Sequence, residues 1–369
     1  MSRLKVMTIV GTRPEIIRLS RVLTLLDQTT DHVLVHTGQN YDFELNEIFF
    51  SDLELKTPKH FLNAAAGSPS KTIGSIIQLV DDVIAEEMPD AVLILGDTNS
   101  SLAAISAKKR KIPVFHMEAG NRCFDSRVPE ELNRKIVDHL ADINLPYSDI
   151  AREYLLSEGI SAHRVVTTGS PMAEVLHYYR DKINKSKVLQ TFGLVNKEYF
   201  VASIHREENV DDIEIFKGIA GALNLVAKKY HLPIIMTTHP RTLKQIERIG
   251  VEFDSLIILS KPLSFSDYVC LQMNSKVVLS DSGTINEEAS ILGFSALNLR
   301  DSHERPEAME QGSVIMAGTD SKKIMQCLEL LVENKAFSNL NREIPKNYRD
   351  INVSMKVVSI IHSYANYKL

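Results

Sequence analysis

The chain has 369 residues, 44% of them hydrophobic and 24% charged, and a net charge of -5. That length exceeds what one hydrophobic core serves, and the composition excludes a disordered chain. The negative balance gives no reason to expect nucleic acid or an anionic membrane as partner, so any bound anion must meet a local cluster of donors.

Met1-Ser2-Arg3-Leu4-Lys5 has the basic start of a signal peptide. The apolar run behind it stops at Gly11-Thr12-Arg13-Pro14, so a first core strand is the better reading. No stretch approaches the roughly 20 apolar residues of a membrane span. Cys123, Cys270 and Cys327 are far apart and form no CxxC pair, which suits a reducing compartment and neither a disulfide framework nor a zinc site. A soluble cytoplasmic protein is expected.

Short β-branched runs alternate with segments of helical period. Strands are predicted at Lys5–Val10, His32–His36, Ala91–Leu95, Val114–His116, Ile143–Leu145 and Arg164–Thr167. Helices are predicted at Pro14–Leu26, Ser70–Glu87, Ser100–Lys109 and from Pro129 onward. The pattern restarts with strands Tyr199–Ile204, Ile234–Thr238, Leu256–Leu259, Val277–Ser280 and Ala296–Leu299, and helices Asp211–Lys228 and Ser321–Glu333. Strands apolar on both faces, alternating with helices, predict parallel sheets covered on both sides. The fold class is therefore α/β: two Rossmann-like doubly wound domains facing a cleft. Domain bounds are read as 1–169 and 170–351, with Asp181–Lys197 as hinge region and a last helix, Asn352–Tyr367, returning to the first domain.

Doubly wound sheets bind ligands outside the carboxyl ends of their strands, so the residues just after each strand matter most. The first strand runs into Gly11-Thr12-Arg13-Pro14-Glu15 with Arg18 a turn later, a helix start able to hold an anion through Arg13 and Arg18. A capped helix with solvated arginines is the plain alternative. Asp97 and Glu118 each follow a strand, and Glu130 and Glu131 open a helix after Pro129. Singly these are ordinary caps or first-turn acids; gathered at one sheet edge they suit acid/base work. His205 and His239 end strands and suit hydrogen bonds to phosphate or sugar oxygens, or a structural role; partners at metal-ligand spacing are missing, so no metal is expected. Ser280–Glu288 is a strand, a small-residue turn and a helix, aiming the backbone at Ser282 and Gly283 toward an anion. Thr284 and Glu287 have capping-box spacing, whereas Glu288 has no such explanation and suits the hydroxyls of a ribose. Arg305 adds a cation near the same edge. No GxGxxG or GxxxxGK[ST] follows any strand, against a nicotinamide cofactor and against a kinase; no cofactor is expected.

Together these segments resemble the non-hydrolysing UDP-N-acetylglucosamine 2-epimerase family along essentially the whole chain. They are Gly11–Glu15, Gly96-Asp97-Thr98, Glu118-Ala119-Gly120, Pro129-Glu130-Glu131 with Asn133-Arg134, Asp281-Ser282-Gly283 with Glu287-Glu288, and Glu304-Arg305-Pro306-Glu307. The resemblance implies glycosyltransferase-B architecture, a homodimer and a UDP-sugar substrate. It implies loss of UDP from C1 with loss of the C2 proton, a bound 2-acetamidoglycal, reprotonation on the opposite face, and return of UDP. Leaving-group stabilisation then falls to Arg13, His205, Ser282 and Gly283, with Glu288 on the ribose. Asp97, Glu118 and Glu130 become the acid/base candidates, and Arg18 and His205 complete the catalytic set.

The chain also departs from the family's main branch. Arg18 stands for Lys, Gln39-Asn40-Tyr41-Asp42 for Gln-His-Arg-Glu, and Gly169-Ser170-Pro171 for Gly-Asn-Thr. The second change falls where the main branch binds a regulatory sugar nucleotide. The segment His116–Arg134 is closer to the branch forming UDP-N-acetyl-L-fucosamine from UDP-2-acetamido-2,6-dideoxy-L-talose for capsule or O-antigen. The parent activity on UDP-GlcNAc, a glycosyltransferase on the same fold and a sugar-nucleotide sensor are the competing readings.

Overall fold

The structure is a computed structural model that describes residues 3–39, 49–302, 304–338 and 343–365. The chain forms two compact units, Met1–Tyr178 with Lys346–Leu369, and Tyr179–Pro345. The first contains β1 (Lys5–Val10), β2 (Asp31–His36), β3 (His60–Phe61), β4 (Ala91–Leu95), β5 (Val114–Met117) and β6 (Ile143–Leu145), in the order β3-β2-β1-β4-β5-β6. The second contains β7 (Phe200–Ser203), β8 (Ile234–Thr237), β9 (Ile257–Ser260), β10 (Val278–Ser280), β11 (Ala296–Asn298) and β12 (Val314–Met316), in the order β12-β11-β10-β7-β8-β9. All neighbouring pairs are parallel. In both units the order reverses beside the unit's first strand, the doubly wound arrangement of Rossmann-like domains and of the glycosyltransferase-B-like fold.

Burial explains the strands. Val6–Val10 and all of β4 are buried, so both faces of these strands are covered and a continuous apolar run replaces alternation. Met7, Ile9, Val35, Val92 and Ile94 pack in one core with Ile76, Val80 and Ile84 of the helix Pro69–Glu87. In the second unit Phe200, Met236, Leu279 and Leu297 pack with Phe216 and Leu223 of the helix Ile213–Tyr230. Each such side chain contributes about 1.5–3 kcal/mol of burial.

The structure corrects several sequence expectations. Arg164–Thr167 is not a strand: Ala162–Arg164 is a 3-10 turn, and a single bridge joins Val165 to Asn144. Two short strands, β3 and β12, had no sequence signal. The helix expected over Ser100–Lys109 is a 3-10 segment, Asn99–Ala103, followed by an α-helix, Ala104–Lys109. The helix expected from Asp211 starts at Ile213, because the Asp212 side chain caps it by accepting from the Glu214 and Ile215 amides. Asp181–Lys197 carries two short helices, Arg180–Asn184 and Val188–Thr191, inside the second unit. The last helix is Val353–Tyr364; it joins the first unit, where Glu174 accepts from the Ser354 amide at 2.8 Å. No helix among the described residues is long and apolar enough to cross a membrane.

The exit of β5 is tightly built. Gly120 has φ +81°, and a Cβ there would collide with the Ala151 carbonyl. Left-handed strain and overpacking together predict that Gly120→Ala costs roughly 2–4 kcal/mol, measurable as a lowered urea midpoint at unchanged m. Wild-type stability in that variant would show that the turn relaxes freely.

Candidate active site

In the first unit the exit of β1 leads through Gly11 and Thr12 into the helix Arg13–Thr29. Gly11 is needed for close approach: a Cβ would overlap the hydroxyls of Ser100 and Thr37. Glu15 turns back into this exit. It accepts from the amides of Gly11 and Thr12, both at 2.7 Å, and from the Thr98 hydroxyl at 2.8 Å. Burial pushes its carboxyl up to about 7 against the pull of those hydrogen bonds. Glu15 thus ties the β1 exit to the β4 exit. Arg13 is partly buried, its guanidinium 5.1 Å from the centre of the Phe49 ring.

The exits of β4 and β5, neighbours in the sheet, carry Asp97 and Glu118. Each carboxylate is gripped by an arginine. Arg18 makes a buried ion pair with Glu118, and Arg134 Nε donates to Asp97 Oδ2 at 2.7 Å. Arg134 also donates to Glu131 Oε2 at 2.7 Å, and Asn133 donates to the Asp97 carbonyl at 2.9 Å. Both come from the helix Pro129–Leu140, so that helix fixes Asp97 from the side. Glu131 also accepts from the amides of Cys123 (3.1 Å) and Phe124 (3.3 Å). Burial works against its charge, yet the Cys123 and Arg134 hydrogen bonds hold its carboxyl below the usual range. Glu130 lies in the same first turn, partly buried. The Asp97 side chain keeps 21% of its surface exposed, enough to reach a ligand. Two carboxylates on adjacent strand exits, each oriented by a cation, can move protons to and from a carbon held beside them.

In the second unit Asp281, fully buried after β10, organises the β7 exit. It accepts from the amides of His205 (3.0 Å) and Arg206 (3.0 Å) and from the Asn209 side chain (3.1 Å). His205 Nδ1 lies 2.9 Å from Asp281 Oδ1. The helix Ile285–Leu292 follows the turn at Ser282 and Gly283. A Cβ on Gly283 would lie 2.6 Å from Glu304 Oε1 and 2.8 Å from Arg305 Nη1, so a larger residue would have to push these two side chains aside. Arg305 is buried and braces this turn, donating to the Gly283 carbonyl at 2.7 Å and pairing with Glu287 at 3.3 Å. The expected Thr284–Glu287 capping box is absent: Thr284 has helical dihedrals and no side-chain cap bond, because Glu287 points to Arg305. Gln272 donates to Glu288 Oε2 at 2.8 Å and orients it. His239 caps the helix Pro240–Ile249, its Nδ1 accepting from the Arg241 amide at 3.4 Å.

The UDP-N-acetylglucosamine 2-epimerase family model matches residues 25–362. The chain belongs to this family. A solved structure of the UDP-N-acetylglucosamine 2-epimerase from Rickettsia bellii is 46% identical, covering 99% of this chain and 98% of that one, at TM-score 0.90. The Methanocaldococcus jannaschii enzyme in complex with UDP-GlcNAc and UDP is 33% identical, covering 98% and 100%, at TM-score 0.91. The UDP-2,3-diacetamido-2,3-dideoxy-D-glucuronate 2-epimerase of Pseudomonas aeruginosa is 33% identical over 88% of this chain and 91% of its own length. The protein is accordingly an isomerase of the non-hydrolysing UDP-N-acetyl-sugar 2-epimerase type.

Within this epimerase the sequence reading placed Asp97, Glu118, Arg18, His205, Ser282 and Glu288 at strand exits or in the turns behind them. It assigned no role to Asp281, Arg134 or Gln272, which hold those groups in place. Arg134 and Asp281 stand in the family motifs, and Asp281 also follows a strand directly; Gln272 had no signal. Asn40, Tyr41 and Asp42 lie outside the described residues. Among the described residues one His–carboxylate group, His60 with Glu86 and Glu87, has metal-like spacing, but Lys59 already pairs with Glu87 at 2.6 Å.

Proposed function

We propose that the protein inverts C2 of a UDP-activated 2-acetamido sugar by eliminating UDP and adding it back. The observation that carries this reading is the pair Asp97 and Glu118 on adjacent strand exits, each held by its own arginine, in a chain of the 2-epimerase family. One carboxylate takes the C2 proton as the C1–oxygen bond breaks and UDP leaves with the electron pair. A carboxylic acid then returns a proton to the opposite face of C2, and a UDP oxygen re-forms the bond to C1. Glu130 is the third candidate for this exchange. The C2 proton is weakly acidic, so stabilising the departing diphosphate carries much of the barrier. Arg13, His205 and the backbone at Ser282 and Gly283 supply that stabilisation, and Glu288 takes the ribose. His239 and Arg305 are the further candidates for contacts to UDP.

For the sugar, the spelling of His116–Arg134 favours UDP-2-acetamido-2,6-dideoxy-L-talose going to UDP-N-acetyl-L-fucosamine, in surface polysaccharide synthesis. UDP-GlcNAc going to UDP-ManNAc is the second reading, supported by the relatives named for that substrate.

Incubation with each UDP-sugar in deuterated water tests both levels. Deuterium is expected at C2 of the epimerised product without added NAD or metal, with the 6-deoxy sugar turned over faster. Preference for UDP-GlcNAc would overturn the sugar assignment alone. Transfer to an acceptor without C2 exchange would overturn the epimerase reading.

A further inference from the structure

His116 lies in β5, two residues before Glu118, and only 1% of it is exposed. Its Nε2 is 2.8 Å from the Gly96 carbonyl, next to Asp97, and its Nδ1 is 2.9 Å from Asp138 Oδ1. A carbonyl only accepts, so Nε2 carries a proton. Asp138 also accepts from the Gly120 amide at 3.2 Å and from Arg122 Nη1 at 2.7 Å, so a carboxylate held by an arginine faces Nδ1 and favours a proton there. Arg122 is closed off by Glu158 through bonds of 2.8 and 2.5 Å. Two buried cations thus meet two carboxylates in one chain, His116–Asp138–Arg122–Glu158.

We infer that His116 is a positioning residue: as an imidazolium it ties the β4 exit to the β5 exit through Gly96, Asp138 and Gly120, and so sets Asp97 and Glu118 for proton transfer. The inference rests on the catalytic reading of those two carboxylates. Backbone geometry supports it. Gly96, Glu118 and Gly120 all have positive φ, 72°, 64° and 81°, and Glu118 holds that conformation without being glycine. A residue held in this region persists where its surroundings over-determine it. The charges facing the ring support it as well. Burial lowers the pKa of the ring, but Asp138, the Gly96 carbonyl and the Glu118 charge outweigh that and raise it. A fully paired buried network adds little to stability over apolar packing, whereas small displacements of reacting groups cost large factors in rate.

Two substitutions separate the two arms. His116→Gln keeps a donor for Gly96 and drops Asp138; His116→Asn keeps a donor for Asp138 and drops Gly96. Each is expected to lower kcat by about tenfold or more with KM within about threefold, the size of effect that misplaced catalytic groups give. The C2-deuterium isotope effect on kcat should rise, because proton transfer becomes limiting. On an Asp97→Asn background His116→Gln should cost less than about threefold more, since both act through one group. Unchanged kcat, a loss confined to KM, or full multiplication with Asp97→Asn would overturn the inference. A fully active Asp97→Asn would instead remove the reading beneath it. Should neither His116 variant fold, ¹⁵N NMR of the wild-type protein at about pH 8 decides: the inference requires both ring nitrogens protonated, well above the usual titration range of histidine. A neutral His116 ring there overturns it.

Discussion

Replacing Asp97 by Asn, or Glu118 by Gln, is expected to lower turnover by about 10²–10⁴-fold while leaving UDP affinity nearly unchanged. Both substitutions keep the size of the side chain and an acceptor oxygen, so Arg134 Nε and Arg18 Nη1 keep a partner atom. What is lost is the capacity to hold and release a proton. The groups assigned to UDP belong to the second unit, apart from Arg13, which is why binding and turnover should separate. The two variants differ in stability. Glu118→Gln removes the buried Arg18–Glu118 ion pair, and breaking a buried pair costs about 3–5 kcal/mol. Asp97 is partly exposed, so Asp97→Asn should melt close to wild type. Turnover and UDP affinity must therefore be measured below the melting range of the Gln variant. Wild-type turnover in both would remove the two carboxylates from the mechanism, and a loss of UDP affinity equal to the loss of turnover would make them ligand-binding groups.

The architecture was legible because both sheets are parallel and buried, so their central strands are unbroken apolar runs. β1, β4 and β6 match the sequence reading residue for residue. The edges were not. His60–Phe61 and Val314–Met316 are too short to show a period, and Arg164–Thr167, β-branched like a strand, pairs through one bridge only. Asp97 and Glu118 could be found because they end strands. Their pairing with arginines could not be read: Arg134 lies 37 residues from Asp97, and Arg18 lies 100 from Glu118. Sequence says that a cation is near a sheet edge and not where it points. Arg305 shows the difference, since its guanidinium grips the Gly283 carbonyl from within the protein. His239 shows it again, as a helix cap.

Asp281→Ala is expected to destabilise the second unit by about 3–5 kcal/mol, the cost of breaking a buried ionic pair, and to weaken UDP binding strongly. Removing the carboxylate strands the amides of His205 and Arg206 and one arm of Asn209, and frees the His205 ring to turn. Asp281→Asn keeps an oxygen for the amides and should cost less stability, yet it too loses the negative charge 2.9 Å from His205 Nδ1. Its UDP affinity should therefore fall further than its stability suggests. The pH dependence has a definite sign. Burial alone would raise the Asp281 pKa, but the His205 charge and the hydrogen bonds of His205 and Arg206 outweigh it and hold the value below the ordinary 3.8. A depressed folded-state pKa gives stability that is present above the unfolded value and is lost as pH falls through the folded one. Urea unfolding of wild type and Asp281→Ala should therefore differ fully near neutrality and converge as pH drops below 3.8. A difference that stays constant as the pH falls well below 3.8 would mean that Asp281 acts through its shape and not its charge, and the His205 orientation would need another cause.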